Sequence, residues 1–133
     1  MSADGVAAAR TTVLIDVLRG RPAAERLLGL RRGGDVPATS AINVEEIVRG
    51  LRDSEQTTAD RLFSGLQVLP LGRYEAELAG GWRRQFAAAG VTLHQADCLI
   101  AATAVQAGAR LVTGNPKDFP MSGLLAEHWP VGA

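Results

Sequence analysis

The spacing of apolar and polar positions divides the chain into short segments that alternate between strand-like and helix-like patterns. Val6 to Ala9 reads as a weak strand at best, because Ala is a poor strand former and only Val6 helps. Thr11 and Thr12 are placed to cap a short helix, Val13 to Leu18, which Gly20 stops. Pro22 suits the first turn of a helix reaching about Arg32, with Leu27, Leu28 and Leu30 on its apolar side. Gly33-Gly34-Asp35 is a turn and Val36 to Thr39 a short strand. Ser40 is the expected cap of the next helix, with Asn43 as a competitor. Within that helix Val44, Ile47, Val48 and Leu51 recur at i, i+3, i+4 and i+7, which predicts one buried face. On that wheel Glu45 and Glu46 both point away from the apolar stripe, Glu46 more so.

Asp53-Ser54 breaks the pattern, and a further helix is expected over roughly Glu55 to Gly65. Gln67 to Leu71 reads as a strand and Tyr74 to Ala89 as a helix that runs through Gly80-Gly81. That pair costs about 2 kcal/mol relative to two alanines and predicts a kink or a close helix contact. Gln95 to Ala107 is an Ala-rich helix suited to close packing on a sheet. Arg110 to Thr113 is a strand leading into the loop GNPKDFP, and the pattern from Met121 onward is indeterminate. Helices alternating with short apolar strands predict an α/β fold with a parallel sheet in a single domain spanning 1–133. In such sheets sites lie beyond the carboxyl ends of the strands. Three polar clusters fall there: Arg10-Thr11-Thr12, Asp97, and Asn115 to Asp118.

Composition narrows the chemistry. The chain has 133 residues, 47% of them hydrophobic, enough for a core and too many for a disordered chain. Lys and Arg together number 14, as do Asp and Glu, so no overall basic field exists for gripping nucleic acid. With no long apolar run and no signal-peptide pattern, a cytoplasmic protein without a membrane span is expected. Cys98 is the one cysteine, which excludes an intrachain disulfide and a thiolate zinc site, and a small core thiol is its expected role. His94 and His128 form no helical pair. Trp82 and Trp129 are expected to pack. Arg31-Arg32, Arg73 and Arg83-Arg84 are expected on solvated faces. No phosphate-binding glycine loop or serine-nucleophile motif occurs.

The remaining candidates are acidic. Glu45 and Glu46 sit early on a helix, Asp97 opens another, and Asp118 follows the last clear strand. Two or three converging carboxylates suffice for a hard cation that keeps several waters. Each also has a plain alternative, since acids near helix starts are favourable without any metal, and Asp118 can cap a turn.

The segments TTVLIDVLRG (11–20), TSAINVEEIVRG (39–50) and ADCLIAATAVQAGARLVTGNPKDF (96–119) occur in order and at fitting separations. This ordered set resembles the PIN-domain toxins of the VapC type. The resemblance implies a three-layer α/β/α fold with a short central parallel sheet. It further implies an endoribonuclease that uses Mg²⁺ or Mn²⁺, a VapB-type antitoxin partner, an RNA substrate and a homodimer. Carried onto this chain, the helical glutamate is Glu46. The aspartate before LIAATA is Asp97, and the last acidic position is Asp118, with Asn115 standing where many relatives carry Asp. Thr12 matches a small hydroxyl residue that lies near the metal water, and Asp16 matches a frequent aspartate of the first helix.

One position departs from the pattern. The family begins with an apolar strand that ends in Asp, whereas here Arg10 precedes Thr11-Thr12, and the strand before it is GVAAA. Residues 1–10 are thus atypical, and Asp4 lies six residues too early to substitute. A guanidinium near a dication is repelled, by about 8 kcal/mol at 4 Å with an effective dielectric of 20. The expectation is weakened hydrolysis, with Arg10 pairing to Asp97, Glu46 or Asp118 in the cation's place. The alternative is a catalytically impaired module that binds an antitoxin without cleaving RNA.

Overall fold

The computed structural model describes residues 5–20 and 22–130; Asp4 lies outside them. Five parallel strands form one sheet: β1 (Val6–Ala9), β2 (Val36–Ser40), β3 (Gln67–Leu69), β4 (Arg110–Thr113) and β5 (Ala126–His128), in the spatial order β3-β2-β1-β4-β5. Among the described residues six α-helices accompany them: α1 (Thr11–Leu18), α2 (Ala23–Arg32), α3 (Ala41–Arg49), α4 (Gln56–Ser64), α5 (Arg73–Ala88) and α6 (Gln95–Gln106). Helices cover both faces of the sheet, giving the expected α/β/α layering.

The weak first strand is the centre of the sheet. Val6 to Ala9 is buried throughout, and its side chains alternate between two cores as the strand period requires. Val6 and Ala8 join the core under α5 and α6, with Trp82, Cys98, Ile100 and Leu111. Ala7 and Ala9 join the other, with Val13, Leu14, Ile47 and Trp129. Small side chains here let helices approach from both sides, so burial between layers overrides the poor strand propensity of Ala. The tail also resolves into structure: β5 pairs with β4 as an edge strand, and Trp129 is buried.

Other local expectations shift. The first helix starts at Thr11, with Arg10 at its N-cap and no side-chain cap, so neither threonine caps it. The third strand stops at Leu69 rather than Leu71. Helix α5 is continuous through Gly80 and Gly81, and a Cβ added at either would meet nothing within 4 Å, so no close contact requires them. On α3, Val48 is 49% exposed while Asn43 is buried, so the inward stripe is rotated from the one the apolar pattern predicts.

Strand order runs outward from β1 through β2 to β3, then returns to the other side of β1 with β4 and β5. The order therefore reverses between β1 and β4, and the crevice beyond their carboxyl ends is where such sheets place a site. Arg10 follows β1 directly, and the loop from Asn115 follows β4.

Candidate active site

Arg10 is anchored by its backbone at this switch point. Its N–H donates to Val112 O at 3.0 Å, and its carbonyl accepts from Leu14 N at 3.0 Å as the first bond of α1. The side chain reaches across the crevice to the start of α6. Nη2 donates to Asp97 Oδ1 at 2.5 Å, and Nη1 lies 3.5 Å from Asp118 Oδ2. Cζ sits 5.2 Å from the centroid of the Phe119 ring, within cation–π range. Asp118 belongs to a short 3₁₀ turn, Pro116–Asp118, and its other oxygen accepts from Asn115 Nδ2 at 3.1 Å. The Asn115 N–H in turn donates to Thr113 Oγ1 at 3.1 Å, which ties the loop to the end of β4.

The next residue builds the second half of the site. Thr11 Oγ1 donates to Glu46 Oε1 at 2.6 Å and accepts from Asn43 Nδ2 at 2.9 Å. Asn43 Oδ1 accepts from Ser40 Oγ at 2.7 Å, and Ser40 Oγ accepts the Asn43 N–H at 3.1 Å as the cap of α3. Three side-chain bonds thus run in one direction, from Ser40 to Asn43 to Thr11 and on to the accepting Glu46, an arrangement in which each bond polarises the next. Thr11 uses its proton and one lone pair, which leaves one acceptor position for a further donor.

The structure joins Glu46, Asp97, Asp118 and Asn115 around the Arg10-Thr11 dipeptide. It places Thr12 elsewhere: Thr12 is exposed, and the hydroxyl facing Glu46 belongs to Thr11. The reason is the helix start at Thr11, which turns the next residue outward by one helical step. Glu45 is exposed and pairs with Arg49 along α3. Asp16 is 4% exposed, a buried residue of α1.

Sequence reasoning missed Asn43 and Ser40 as parts of the site. The signal was present, since a helix cap at Ser40 puts Asn43, Glu46 and Ile47 on one face at i, i+3 and i+4. His94 and Lys117 line a cleft of about 270 Å³ together with Asp97 and Asp118. Cys98, one residue after Asp97, is fully buried in the core. Burial pushes its thiol above the usual range; Arg83 opposes this and Asp97 adds to it.

The residues as they stand do not fit a divalent ion. Among the described residues no group of three or more His, Cys, Asp or Glu side chains is arranged to hold one. One oxygen of Asp97 (Oδ1) and one of Asp118 (Oδ2) face the Arg10 guanidinium instead.

Residues 11–120 match the PIN domain family model. The chain belongs to the PIN domain family. The match begins one residue after Arg10. Among curated PIN relatives, Ribonuclease VapC19 of Mycobacterium tuberculosis is 35% identical over 112 residues, 84% of this chain and 90% of that protein. Ribonuclease VapC10 of the same organism is 34% identical over 110 residues, 82% of each. Among solved structures, VapBC2 of Rickettsia felis bound to a promoter DNA fragment superposes with a TM-score of 0.82 at 23% identity, covering 93% of this chain and 98% of that one. A toxin–antitoxin complex from Klebsiella pneumoniae gives 0.69 at 29% identity, covering 90% and 95%. No helix of the described PIN domain is long and apolar enough to cross a membrane.

Proposed function

We propose that this chain is a cytoplasmic VapC-type toxin: an endoribonuclease of a type II toxin–antitoxin pair whose hydrolysis of RNA phosphodiester bonds is weakened by Arg10. The observation that carries this reading is the meeting of Glu46, Asp97 and Asp118 around Arg10-Thr11 at the switch point of a PIN sheet. The relatives named VapC ribonucleases, similar along most of both chains, support the same chemistry.

Each residue has a defined part in it. Glu46, held by Thr11, and the two aspartates form the acidic centre, while Asn115 fixes the free oxygen of Asp118. Thr11 offers its remaining lone pair to a water. In this reading His94 and Lys117, which line the cleft, would meet RNA phosphates. The Mg²⁺ or Mn²⁺ of the family would require Arg10 to leave both aspartates. A site competent only in a minor conformer works in proportion to that conformer's population.

The antitoxin belongs to the same reading. A groove of about 280 Å³ between α1, α2 and α4 is lined by Val17, Leu27, Leu28 and Leu62 and flanked by Arg61. Its chemistry suits an apolar segment that carries an acid, as a VapB-type partner would supply. A homodimer is part of this reading and is checked by light scattering.

A second reading is favoured by the double engagement of Arg10: a PIN module that binds an antitoxin and does not cleave RNA. RNA cleavage with Mg²⁺ or Mn²⁺ by the chain, Arg10→Asp and Asp97→Ala separates the two. Weak cleavage by the chain, strong cleavage by Arg10→Asp and none by Asp97→Ala are expected. Cleavage by Arg10→Asp alone supports the second reading. Undiminished cleavage by Asp97→Ala overturns the first.

A further inference from the structure

We infer that the Arg10 guanidinium is a tethered counter-ion that holds Asp97 and Asp118 together without any divalent cation, so that the folded chain keeps its acidic cleft assembled metal-free and binds Mg²⁺ and Mn²⁺ there far more weakly than the same fold with Asp at position 10. The inference concerns the same cleft as the proposed ribonuclease reading, but its readout is metal affinity and stability rather than RNA cleavage, so either can fail alone.

The side chain is seated, not draped. Its exposure is 19%, against 10% for Asp97. Nε is fully buried with no hydrogen-bond partner, so water has been removed from around the guanidinium on that side. An arginine swinging freely at a surface would keep that N–H hydrated. The burial without a partner is tolerated because the other two nitrogens face carboxylates and the planar group lies against Phe119, itself 6% exposed.

The backbone fixes where this charge can go. Arg10 is held on both sides, by Val112 O and by the first bond of α1, at the end of the central strand. Asp97 comes from α6 and Asp118 from the loop after β4, so one side chain ties the end of β1 to both. A divalent ion in a family site performs the same task, drawing separate carboxylates to one point. The two solutions compete for the same carboxylates. Mg²⁺ is held by oxygen ligands, and an ion bound between Asp97 and Asp118 would have the guanidinium beside it in a partly dry crevice, where like charges repel.

A ligand that binds only the folded state raises its stability by an amount set by its concentration relative to Kd. Thermal unfolding in EDTA, Mg²⁺ and Mn²⁺, with Mn²⁺ binding followed by electron paramagnetic resonance, therefore tests the inference. The full chain is expected to melt at the same temperature in all three and to leave Mn²⁺ free. Arg10→Asp is expected to melt lower in EDTA, to be raised by either metal, and to bind Mn²⁺ at least about tenfold more tightly than the unaltered chain, or 1.4 kcal/mol. Adding Asp97→Asn to Arg10→Asp is expected to remove that binding. Arg10→Gln, which keeps a neutral donor, carries the same test if Arg10→Asp does not fold, with a smaller gain expected. Mn²⁺ binding by the unaltered chain as tight as by these variants overturns the inference, as does a folded Arg10→Asp whose melting ignores metal.

Discussion

The Arg10 guanidinium and the Asp97 carboxylate, 87 positions apart in sequence, meet at 2.5 Å across the mouth of the sheet. The contact is partly dry on both sides. Removing one partner of such a pair strands the other charge, at a cost of about 3–5 kcal/mol where burial is complete. Water still reaches this pair, so the cost here is smaller. Arg10→Met keeps an unbranched apolar stem but deletes the charge and, with Cζ, the contact over Phe119. It is expected to lower stability by about 2 kcal/mol in metal-free buffer, measured by urea unfolding, with an unchanged m-value.

The hydroxyl serving Glu46 is that of Thr11, and the two adjacent threonines separate cleanly. Thr11→Val removes the acceptor of Asn43 Nδ2 and the donor to Glu46, leaving the buried Asn43 amide and the half-buried Glu46 carboxylate without that partner. Such losses cost about 1–3 kcal/mol. Thr12 is exposed, and Thr12→Ala is expected to change stability by less than about 0.5 kcal/mol. Denaturant midpoints of the two variants check the assignment. In cleavage assays the loss is expected at Thr11 and not at Thr12.

Most elements were legible because their patterns are local. Ser40 reads as a cap, the Ala-rich helix before Gly108 reads as a sheet-packing helix, and LVT reads as a buried strand. What failed depended on the partner layers. The strand Val6–Ala9 looks weak alone and becomes central only because two helical layers require small side chains between them. On α3 the apolar stripe Val44-Ile47-Val48-Leu51 misplaces the buried face, because Asn43 turns inward to serve Thr11 and Val48 turns out. The acidic residues were readable as residue types, but their convergence depends on the strand order, which a linear pattern does not carry. That Arg10 and Thr11 are the common point of contact for both halves of the site follows from the reversal between β1 and β4.

Cys98 illustrates how one position of helical phase decides reactivity. Asp97 faces the crevice, whereas Cys98 faces the core between α6 and the sheet with no exposure. Burial holds the thiol above its ordinary range, and reaction requires the thiolate. Native chain is expected to resist a disulfide reagent near neutral pH, with full modification only when denaturant unfolds it. Rapid labelling of the folded chain would contradict the placement.

The glycine pair in α5 makes the last and simplest case. Both residues are helical, neither has a positive φ, and a Cβ at either position points into open space. The helix therefore bears the entropic cost of two flexible residues without a contact that needs them in this fold. Replacing Gly by Ala in a helix interior recovers about 0.5–1 kcal/mol per position, partly by restricting the unfolded chain. Gly80→Ala and Gly81→Ala are each expected to raise the melting temperature. The sites adjoin, but their side chains diverge by 100° around the helix, so the gains should add to about 1–2 kcal/mol. A gain at one position and a loss at the other would mean that the losing face packs against a second molecule too closely for a methyl group. Running the same melts at two protein concentrations would reveal that association directly.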